Sequence, residues 1–307
     1  MKKLSFFKKK KEIEPKIEEE IIIEYKVGKY KMFLKNNHMI EKYQAQFPLY
    51  DRFLPYFCSF FKGLIVDVGA NIGDTSVAIF SQNDNCFIVG VEPDEDFFKD
   101  CLETIKINNL NDRFLGVQKF ISTKKGAFII EKDKTSSTGS INMSTSEIDD
   151  NTVSFAELSN LIPLEKFKTF DMLKIDTDGF DWDVINSFTE TNDNLNHPRF
   201  IFFEMQTFLN NDVSKTLQRQ EMNLNYINAI KKLKNKGYTH FSLFDNFGTY
   251  VMTTESVEDI IKLNEYVIRS QVNNHYSTIF YFDVLAYSER ELDFTTNKIS
   301  EFYVQNI

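Results

Sequence analysis

The chain has 307 residues, of which 36 are Lys or Arg and 45 are Asp or Glu, so its formal net charge at pH 7 is −9. Hydrophobic residues make up 42% of the sequence and charged residues 26%, a composition that excludes a disordered chain and predicts a sizeable core. The acidic balance argues against a nucleic-acid partner, because that binding depends on Lys and Arg neutralising phosphates.

The N-terminal residues 1–20 change from Lys-rich to Glu-rich and predict a flexible charged arm. A weak peripheral contact of its lysines with an anionic membrane surface is the alternative. The first lysine clusters are too close together for a signal peptide, and no run approaches the roughly 20 apolar residues of a membrane helix. Three scattered cysteines favour reduced thiols. We therefore expect a cytoplasmic protein without an integral membrane segment.

The following segment, residues 21–62, reads as an N-terminal extension. Alternating apolar residues on both sides of Gly28 predict a β-hairpin that turns at this glycine. An apolar and aromatic stretch then predicts a helix from about residue 50 to residue 61.

From Gly63 onward, short apolar runs alternate with amphipathic helical stretches. The runs that predict strands are LIVDV, CFIVGV, FLGVQKFI, GAFIIE, DMLKI, FIFFEM, HFSLFD and TIFYFDVLAY. This alternation predicts an α/β fold with a doubly wound parallel sheet. We assign residues 63–254 to a cofactor-binding domain and residues 255–307 to a C-terminal helix and strand that complete it. A polar segment, residues 133–152, predicts a long functional loop.

The first motif is LIVDVGANIGDT, an apolar strand that ends in Asp67, turns through Gly69 and opens a helix after Gly73. Gly69 is expected to let the backbone pass close to a ligand, and Gly73 to let helix and strand pack closely. Asn71 stands where a dinucleotide fingerprint has its second glycine, which favours a ligand carboxylate over a pyrophosphate. Asp67 is placed to hold a cationic group, and the helix that begins at Asp74 offers free N–H groups. These five residues are candidate cofactor-binding residues.

The second motif is Glu92-Pro93, which follows the strand CFIVGV about 20 residues after Gly69. An acid at the end of the second strand is where nucleotide-binding folds hold a pair of ribose hydroxyls. Glu92 and Pro93 therefore join the candidate cofactor-binding residues.

The third and fourth motifs are acids at the ends of two later strands. Asp176 and Asp178 follow DMLKI, and Glu204 ends FIFFE. Both strand ends are expected at the carboxyl edge of the sheet, where open α/β sheets bind ligands. Asp181 and Asp183 begin the next helix, where negative charge commonly complements the helix dipole.

The segments DVGANIGDT, VEPDEDFFKDCLETIKINN, DMLKIDTDGFD and FIFFEM, in this order, resemble the FkbM family of S-adenosylmethionine-dependent methyltransferases over roughly residues 63–247. Family members from bacterial polysaccharide gene clusters are also similar to two further segments, KNNHMIEKYQAQFPLYDRFL and YFDVLAY. The resemblance implies a Rossmann-like class I methyltransferase sheet of seven strands, mostly parallel, with an antiparallel strand near its end. It also implies S-adenosylmethionine as cofactor and O-methylation of a sugar or glycan hydroxyl. Asp178 and Asp181 stand where the family has glutamates.

Methyl transfer to a hydroxyl requires alignment of the acceptor oxygen and removal of its proton. Asp176 and Glu204 are the candidates for catalytic base or for orientation of the acceptor. Among the histidines, His38 is preferred over His240 and His275 as a further possible base, because it lies in the N-terminal segment that resembles the family.

A divalent cation is an open alternative to a carboxylate base. Asp176, Asp178 and Glu204 would supply the hard oxygen ligands for it, and the cation would acidify the hydroxyl.

Two other function classes compete with methyl transfer. One is an NAD-dependent oxidoreductase on a Rossmann-like sheet, against which Asn71 argues. The other is a non-catalytic scaffold that retains the fold, against which the intact acids Asp67, Glu92 and Asp176 argue.

Overall fold

A computed structural model of the chain describes residues 22–35, 38–125, 127–132, 139–144, 151–163, 167–191, 197–208, 216–273 and 278–306. The predicted charged arm and parts of the predicted loop at residues 133–152 lie outside these ranges. The strands are β1 (Ile22–Val27), β2 (Tyr30–Lys35), β3 (Leu64–Val68), β4 (Phe87–Val91), β5 (Phe114–Val117), β6 (Phe120–Ile121), β7 (Ala127–Lys132), β8 (Gly139–Ser144), β9 (Thr152–Val153), β10 (Phe170–Ile175), β11 (Phe200–Glu204), β12 (His240–Asp245), β13 (Tyr250–Thr254) and β14 (Phe282–Tyr287). The α-helices are α1 (Ile40–Gln46), α2 (Phe53–Cys58), α3 (Asp74–Gln82), α4 (Glu95–Ile107), α5 (Phe155–Ser159), α6 (Asp181–Glu190), α7 (Thr216–Asn235), α8 (Val257–Asn273) and α9 (Leu292–Asn306).

The central sheet has the strand order β13-β12-β14-β11-β10-β3-β4-β5. Neighbouring strands from β5 through β11 are parallel, whereas β14 runs antiparallel to both β11 and β12. The chain enters at β3 near the middle of the sheet, builds outward to β5, and returns to build the other half from β10. The predicted doubly wound class I methyltransferase sheet is therefore confirmed.

The sheet has eight strands and not the predicted seven, because β13 adds to the edge beside β12. A tight turn joins these two strands, in which Asp245 Oδ1 accepts hydrogen bonds from the N–H groups of Phe247 and Thr249. The β13 sequence YVMTT is mostly half-buried or exposed, so it lacks the continuous apolar run that marked the central strands. The run FLGVQKFI also proved to be two strands, since β5 joins the central sheet and β6 pairs with β9.

The core lies on both faces of this sheet. Successive residues of β3 alternate between the faces, with Leu64, Val66 and Val68 packed on one side and Ile65 on the other. Helices α5, α6, α7 and α8 cover the first face, and α2, α3, α4 and α9 cover the second. Both faces of the sheet are therefore covered by helices and shielded from solvent, which explains why the central strands are apolar throughout.

The N-terminal extension packs against the start of the central domain. The hairpin β1–β2 turns at Gly28, as the sequence predicts, and its residues Met32 and Leu34 form a small core with Ile72. The Asn108 side chain continues the hairpin edge, since it accepts from the Lys31 N–H (3.1 Å) and donates to the Lys31 carbonyl (2.7 Å). The predicted helix at residues 50–61 is shorter in the structure, spanning α2, and α1 precedes it. The predicted division of the chain into domains stays a prediction.

Candidate functional site

A cavity of about 460 Å³ lies at the carboxyl edge of the sheet, and residues that connect α1 and α2 are part of its lining. Its volume is in the range of small-molecule and cofactor sites. Most of the site residues predicted from the sequence line this cavity, namely His38, Gly69, Asn71, Asp74, Glu92, Pro93, Asp176, Asp178 and Glu204. Asp67 and Gly73 are not among the lining residues.

The turn between β3 and α3 depends on two glycines in the left-handed region. Gly69 has φ +77°, and a Cβ atom there would lie 1.7 Å from the carbonyl oxygen of Asp176. Gly73 has φ +84°, and a Cβ atom there would lie 3.0 Å from Sγ of Cys101 on α4. Gly69 therefore allows close approach to the end of β10, and Gly73 allows close packing of two helices in place of the expected packing of helix on strand. The expected approach of a ligand to Gly69 stays a prediction.

Glu92 holds the turn that carries Asn71. Its Oε2 accepts a hydrogen bond from the Asn71 N–H, and its Oε1 accepts one from the Asp94 N–H, both at 2.9 Å. Asn71 itself has φ +48°, a conformation that asparagine tolerates better than most residues. Burial raises the pKa of Glu92 to about 7, against the lowering effect of the two N–H groups. Each carboxylate oxygen can accept a second hydrogen bond, so Glu92 can still bind a pair of hydroxyls.

Asp67 is fully buried, and its cationic partner is a residue of the protein. Lys174 Nζ lies 2.9 Å from Asp67 Oδ1, and the Ser76 hydroxyl donates to Oδ2 at 2.8 Å. Lys174 also donates to the Gly69 carbonyl at 3.1 Å and lies 3.5 Å from Asp176 Oδ2. Burial by itself would lower the pKa of Lys174, but Asp67 and Asp176 outweigh it and raise that pKa. Asp67 thus anchors the lysine that joins the ends of β3 and β10.

Asp176, Asp178 and Glu204 meet in the cavity as the sequence predicts. One carboxylate oxygen of each lies within 4.8 Å of the others. The Asp176 side chain is 50% exposed, whereas Glu204 is only 9% exposed. Burial, followed by the charge of Asp176, raises the pKa of Asp178 to about 8 and raises that of Glu204 well above its usual range. The cluster therefore combines one accessible carboxylate with two that favour the protonated form.

Asp181 joins the ends of β10 and β11. Its Oδ1 accepts from the Glu204 N–H (2.9 Å), and its Oδ2 accepts from the N–H (3.1 Å) and the hydroxyl (2.7 Å) of Thr177. The expected role as a helix-terminal charge is thus only part of its function. Asp183 likewise accepts hydrogen bonds from the hydroxyls of Ser122 (2.5 Å) and Thr123 (2.6 Å).

Further acids and tyrosines of the cavity were not identified from the sequence. Tyr50 and Asp51 come from the N-terminal extension, and Tyr281 and Asp283 come from the start of β14. Asp283 pairs in register with Glu204, and the Tyr281 hydroxyl hydrogen-bonds to Glu204. An antiparallel strand begins at the edge where its parallel neighbours end, so the acid in YFDVLAY could have been placed in the site once β14 was known to be antiparallel.

The three histidines considered from the sequence lie in different places. His38 lines the cavity, its Nδ1 accepts from the Ile40 N–H at 3.4 Å, and burial lowers its pKa. A neutral ring in this contact carries its hydrogen on Nε2, which suits a donor better than a base. His240 begins β12, at the edge opposite the cavity. His275 lies outside the described residues.

Among the described residues, no helix has both the length and the apolar character needed to cross a membrane. A comparison with curated protein sequences finds no match.

Several solved structures are similar to the chain at low identity. An O-methyltransferase from Bacillus cereus in complex with SAH is 12% identical, with 81% of this chain and 89% of that chain covered and a TM-score of 0.40. The O-methyltransferase TomG from Streptomyces achromogenes, in complex with SAM, is 9% identical, with 80% and 86% covered and a TM-score of 0.42. A putative rRNA-methylase from Clostridium thermocellum is 10% identical, with 76% and 94% covered and a TM-score of 0.41.

Family membership follows from the sequence and does not depend on these structural similarities. The profile of the methyltransferase FkbM domain matches residues 67–240, more than half of the chain. The match spans the glycine turn after β3, Glu92, the acids after β10 and Glu204. The chain therefore belongs to the FkbM methyltransferase family and is an S-adenosylmethionine-dependent methyltransferase.

Proposed function

We propose that the enzyme transfers a methyl group from S-adenosylmethionine to a hydroxyl of a sugar or glycan. The observation that carries this proposal is the carboxylate cluster of Asp176, Asp178 and Glu204, which faces the same cavity as the turn held by Glu92. The cluster offers groups that accept and orient a hydroxyl proton beside the cofactor-binding residues.

The cofactor-binding half of the site is assigned to the ends of β3 and β4. Glu92 accepts the ribose hydroxyls, and Gly69, Asn71, Asp74 and Pro93 surround the cofactor from the same side of the cavity. S-adenosylmethionine supplies an electrophilic methyl group on a positively charged sulfur. Because the known contacts of Asp67 are with Lys174 and Ser76, we assign to Asp67 and to Gly73 the shaping of this turn.

Asp176 is assigned as the residue that accepts the hydroxyl proton. It is the most exposed of the three clustered acids, so an incoming acceptor can reach it, and it lies 3.5 Å from Lys174 Nζ. Glu204 favours its protonated form and is hydrogen-bonded by Tyr281, so it is better suited to orient the acceptor oxygen. His38 is assigned a hydrogen-bonding role in the cavity.

A sugar acceptor suits the lining of the cavity. The aromatic rings of Tyr50, Phe202, Phe244 and Tyr281 line it together with the acids. Rings provide flat apolar faces, and carboxylates accept hydrogen bonds from hydroxyl groups. The density of carboxylates disfavours acceptors whose reacting ring carries a phosphate or carboxylate. No two of the six prolines adjoin, so the adjacent-proline motif of amine-methylating enzymes is absent from the sequence. We place the reaction in the cytoplasm, where the buried free thiols of the three cysteines would persist.

The test is methyl transfer from isotopically labelled S-adenosylmethionine to a panel of acceptors. Neutral oligosaccharides should gain one labelled methyl group by mass spectrometry, on an oxygen, while matched sugars phosphorylated or oxidised to uronic acids on the reacting ring should react more slowly. Methylation of an amine alone, or of no glycan in the panel, would overturn the proposal. Calorimetry in parallel should show binding of S-adenosylhomocysteine and no binding of NAD.

The same panel distinguishes a carboxylate base from a divalent cation held by Asp176, Asp178 and Glu204. Turnover that survives chelation of divalent ions supports the base, whereas turnover that is lost and then restored by Mg²⁺ or Mn²⁺ supports the cation.

A further inference from the structure

His240 lies at the edge of the sheet opposite the cavity. It is the first residue of β12, and the last residue of that strand, Asp245, lies at the carboxyl edge. Six residues of strand place His240 about 17 Å from that edge. The imidazole is 3% exposed and stacks on the ring of Tyr287, with ring centroids 5.7 Å apart.

Two glutamates from different turns meet the same nitrogen of this imidazole. His240 Nε2 lies 3.2 Å from Oε1 of Glu255, which follows β13, and 3.1 Å from Oε2 of Glu289, which follows β14. The three atoms all lie within 4.8 Å of one another. The other ring nitrogen, Nδ1, lies 3.0 Å from the hydroxyl oxygen of Thr239.

Hydrogen bonding explains this arrangement incompletely. Nε2 carries at most one hydrogen, so it can donate well to one of the two carboxylates and not to both. If the hydrogen resides on Nδ1, where the Thr239 hydroxyl can accept it, the lone pair of Nε2 faces two anions. A divalent ion removes this conflict, because it accepts the lone pair and one oxygen of each carboxylate.

The spacing of the ligand atoms fits such an ion. Tetrahedral Zn²⁺ binds imidazole nitrogen and carboxylate oxygen at about 2.0–2.2 Å, which sets ligand atoms about 3.3 Å apart. The distances from Nε2 to the two oxygens, 3.2 and 3.1 Å, are close to this value. A ligating histidine also normally gives its other N–H to an oxygen, as the contact with Thr239 allows.

We propose that His240, Glu255 and Glu289 form a site for a divalent transition-metal ion of the zinc type, with water in the remaining position. One nitrogen and two carboxylate oxygens favour such an ion over Mg²⁺, which prefers oxygen ligands alone. The three ligands come from the start of β12, the residue after β13 and the turn after β14. The ion therefore fastens three chain segments at the sheet edge remote from the cavity, so its role is structural.

The test titrates chelator-treated full-length protein with Zn²⁺ by calorimetry and with Co²⁺ by visible absorption. The wild type should bind one equivalent at this site, show the absorption of tetrahedral Co²⁺, and unfold at a higher temperature with metal than without it. The two glutamates are 69% and 74% exposed, so Glu255→Gln and Glu289→Gln should leave the metal-free fold intact. Each variant should weaken Zn²⁺ binding by at least about tenfold, because even the outer partners of metal ligands are worth about 10–100-fold.

Two controls make the result decisive. Glu258→Gln removes a nearby exposed glutamate that pairs with Lys262, and it should bind Zn²⁺ like the wild type. Asp178→Asn disables the acidic cluster of the cavity and should also retain the equivalent that Glu255→Gln loses. An unchanged number of bound Zn²⁺ equivalents in the Glu255→Gln, Glu289→Gln double variant, or loss of this equivalent in Asp178→Asn, would overturn the proposed site. Absence of micromolar Zn²⁺ binding by the wild type would overturn it as well.

Discussion

Asp176→Asn is the substitution that most directly separates catalysis from cofactor binding. Asparagine keeps the size of the side chain but can neither carry a negative charge nor accept the hydroxyl proton. Positioned acid–base catalysis is commonly worth about 10²–10⁴-fold in rate, which corresponds to about 2.7–5.4 kcal/mol of transition-state free energy. We expect kcat to fall by that factor with a glycan acceptor.

The structure predicts that the same variant remains folded and binds the cofactor. Asp176 is half exposed, and its contact with Lys174 Nζ is 3.5 Å long, so the loss of this ion pair should cost no more than about 1 kcal/mol of unfolding free energy. Lys174 keeps its shorter contact with Asp67, at 2.9 Å. The dissociation constant of S-adenosylhomocysteine should therefore change only by a small factor.

The assay is single-turnover methyl transfer, with calorimetry of S-adenosylhomocysteine on the same preparation. Asp112→Asn is the matched control, since Asp112 is exposed and does not line the cavity. A large loss of cofactor affinity with little change in the rate at saturation would show that Asp176 binds the cofactor. Normal turnover in the variant would refute the assignment of Asp176 as the base.

Three further predictions concern the acids around the cavity. Glu92→Ala should weaken S-adenosylhomocysteine binding in calorimetry, and it should also lower the unfolding midpoint, because the N–H groups of Asn71 and Asp94 lose their acceptor; unaltered affinity in the folded variant would contradict the ribose assignment. Asp181→Asn should lower both kcat and the unfolding free energy in urea, the latter by about 1–3 kcal/mol, because one of its buried donors loses an acceptor; a fully stable and active variant would contradict the positioning role. Burial raises the pKa of Asp74 to about 6, that of Glu92 to about 7 and that of Asp178 to about 8, so the folded state binds more protons than the unfolded state. The unfolding free energy of the unliganded protein should therefore fall as the pH rises from about 4 to about 8. Glu92→Gln should flatten this dependence in urea titrations at pH 5 and pH 8, and an unchanged slope would count against the buried carboxylate.

Most of the fold could be predicted because the central strands are buried on both faces. Continuous apolar runs such as LIVDV and FIFFE are required only in that environment, and they also fix where each strand ends. The edge strand β13 escaped prediction because one side of it is solvated and its sequence YVMTT is mixed. The shape of the N-terminal extension was only partly predictable, since its small core depends on Ile72 and on other residues distant in sequence.

The site was predictable where a residue's position follows from the end of a parallel strand, and less so where it depends on packing across the sheet. Asp176, Glu204 and Glu92 end parallel strands of one sheet, so connectivity alone brings them to one edge. Asp283 reaches that edge because its strand runs in the opposite direction, and Asp51 reaches it because α2 packs on the sheet. Asp67 shows what the sequence pattern leaves undecided. The pattern predicts that this acid lies beside a cation, but not whether the cation belongs to a bound ligand or is the side chain of Lys174. That lysine lies beside Asp67 in the parallel register of β3 and β10, so the pairing of those two strands decides which cation the acid binds.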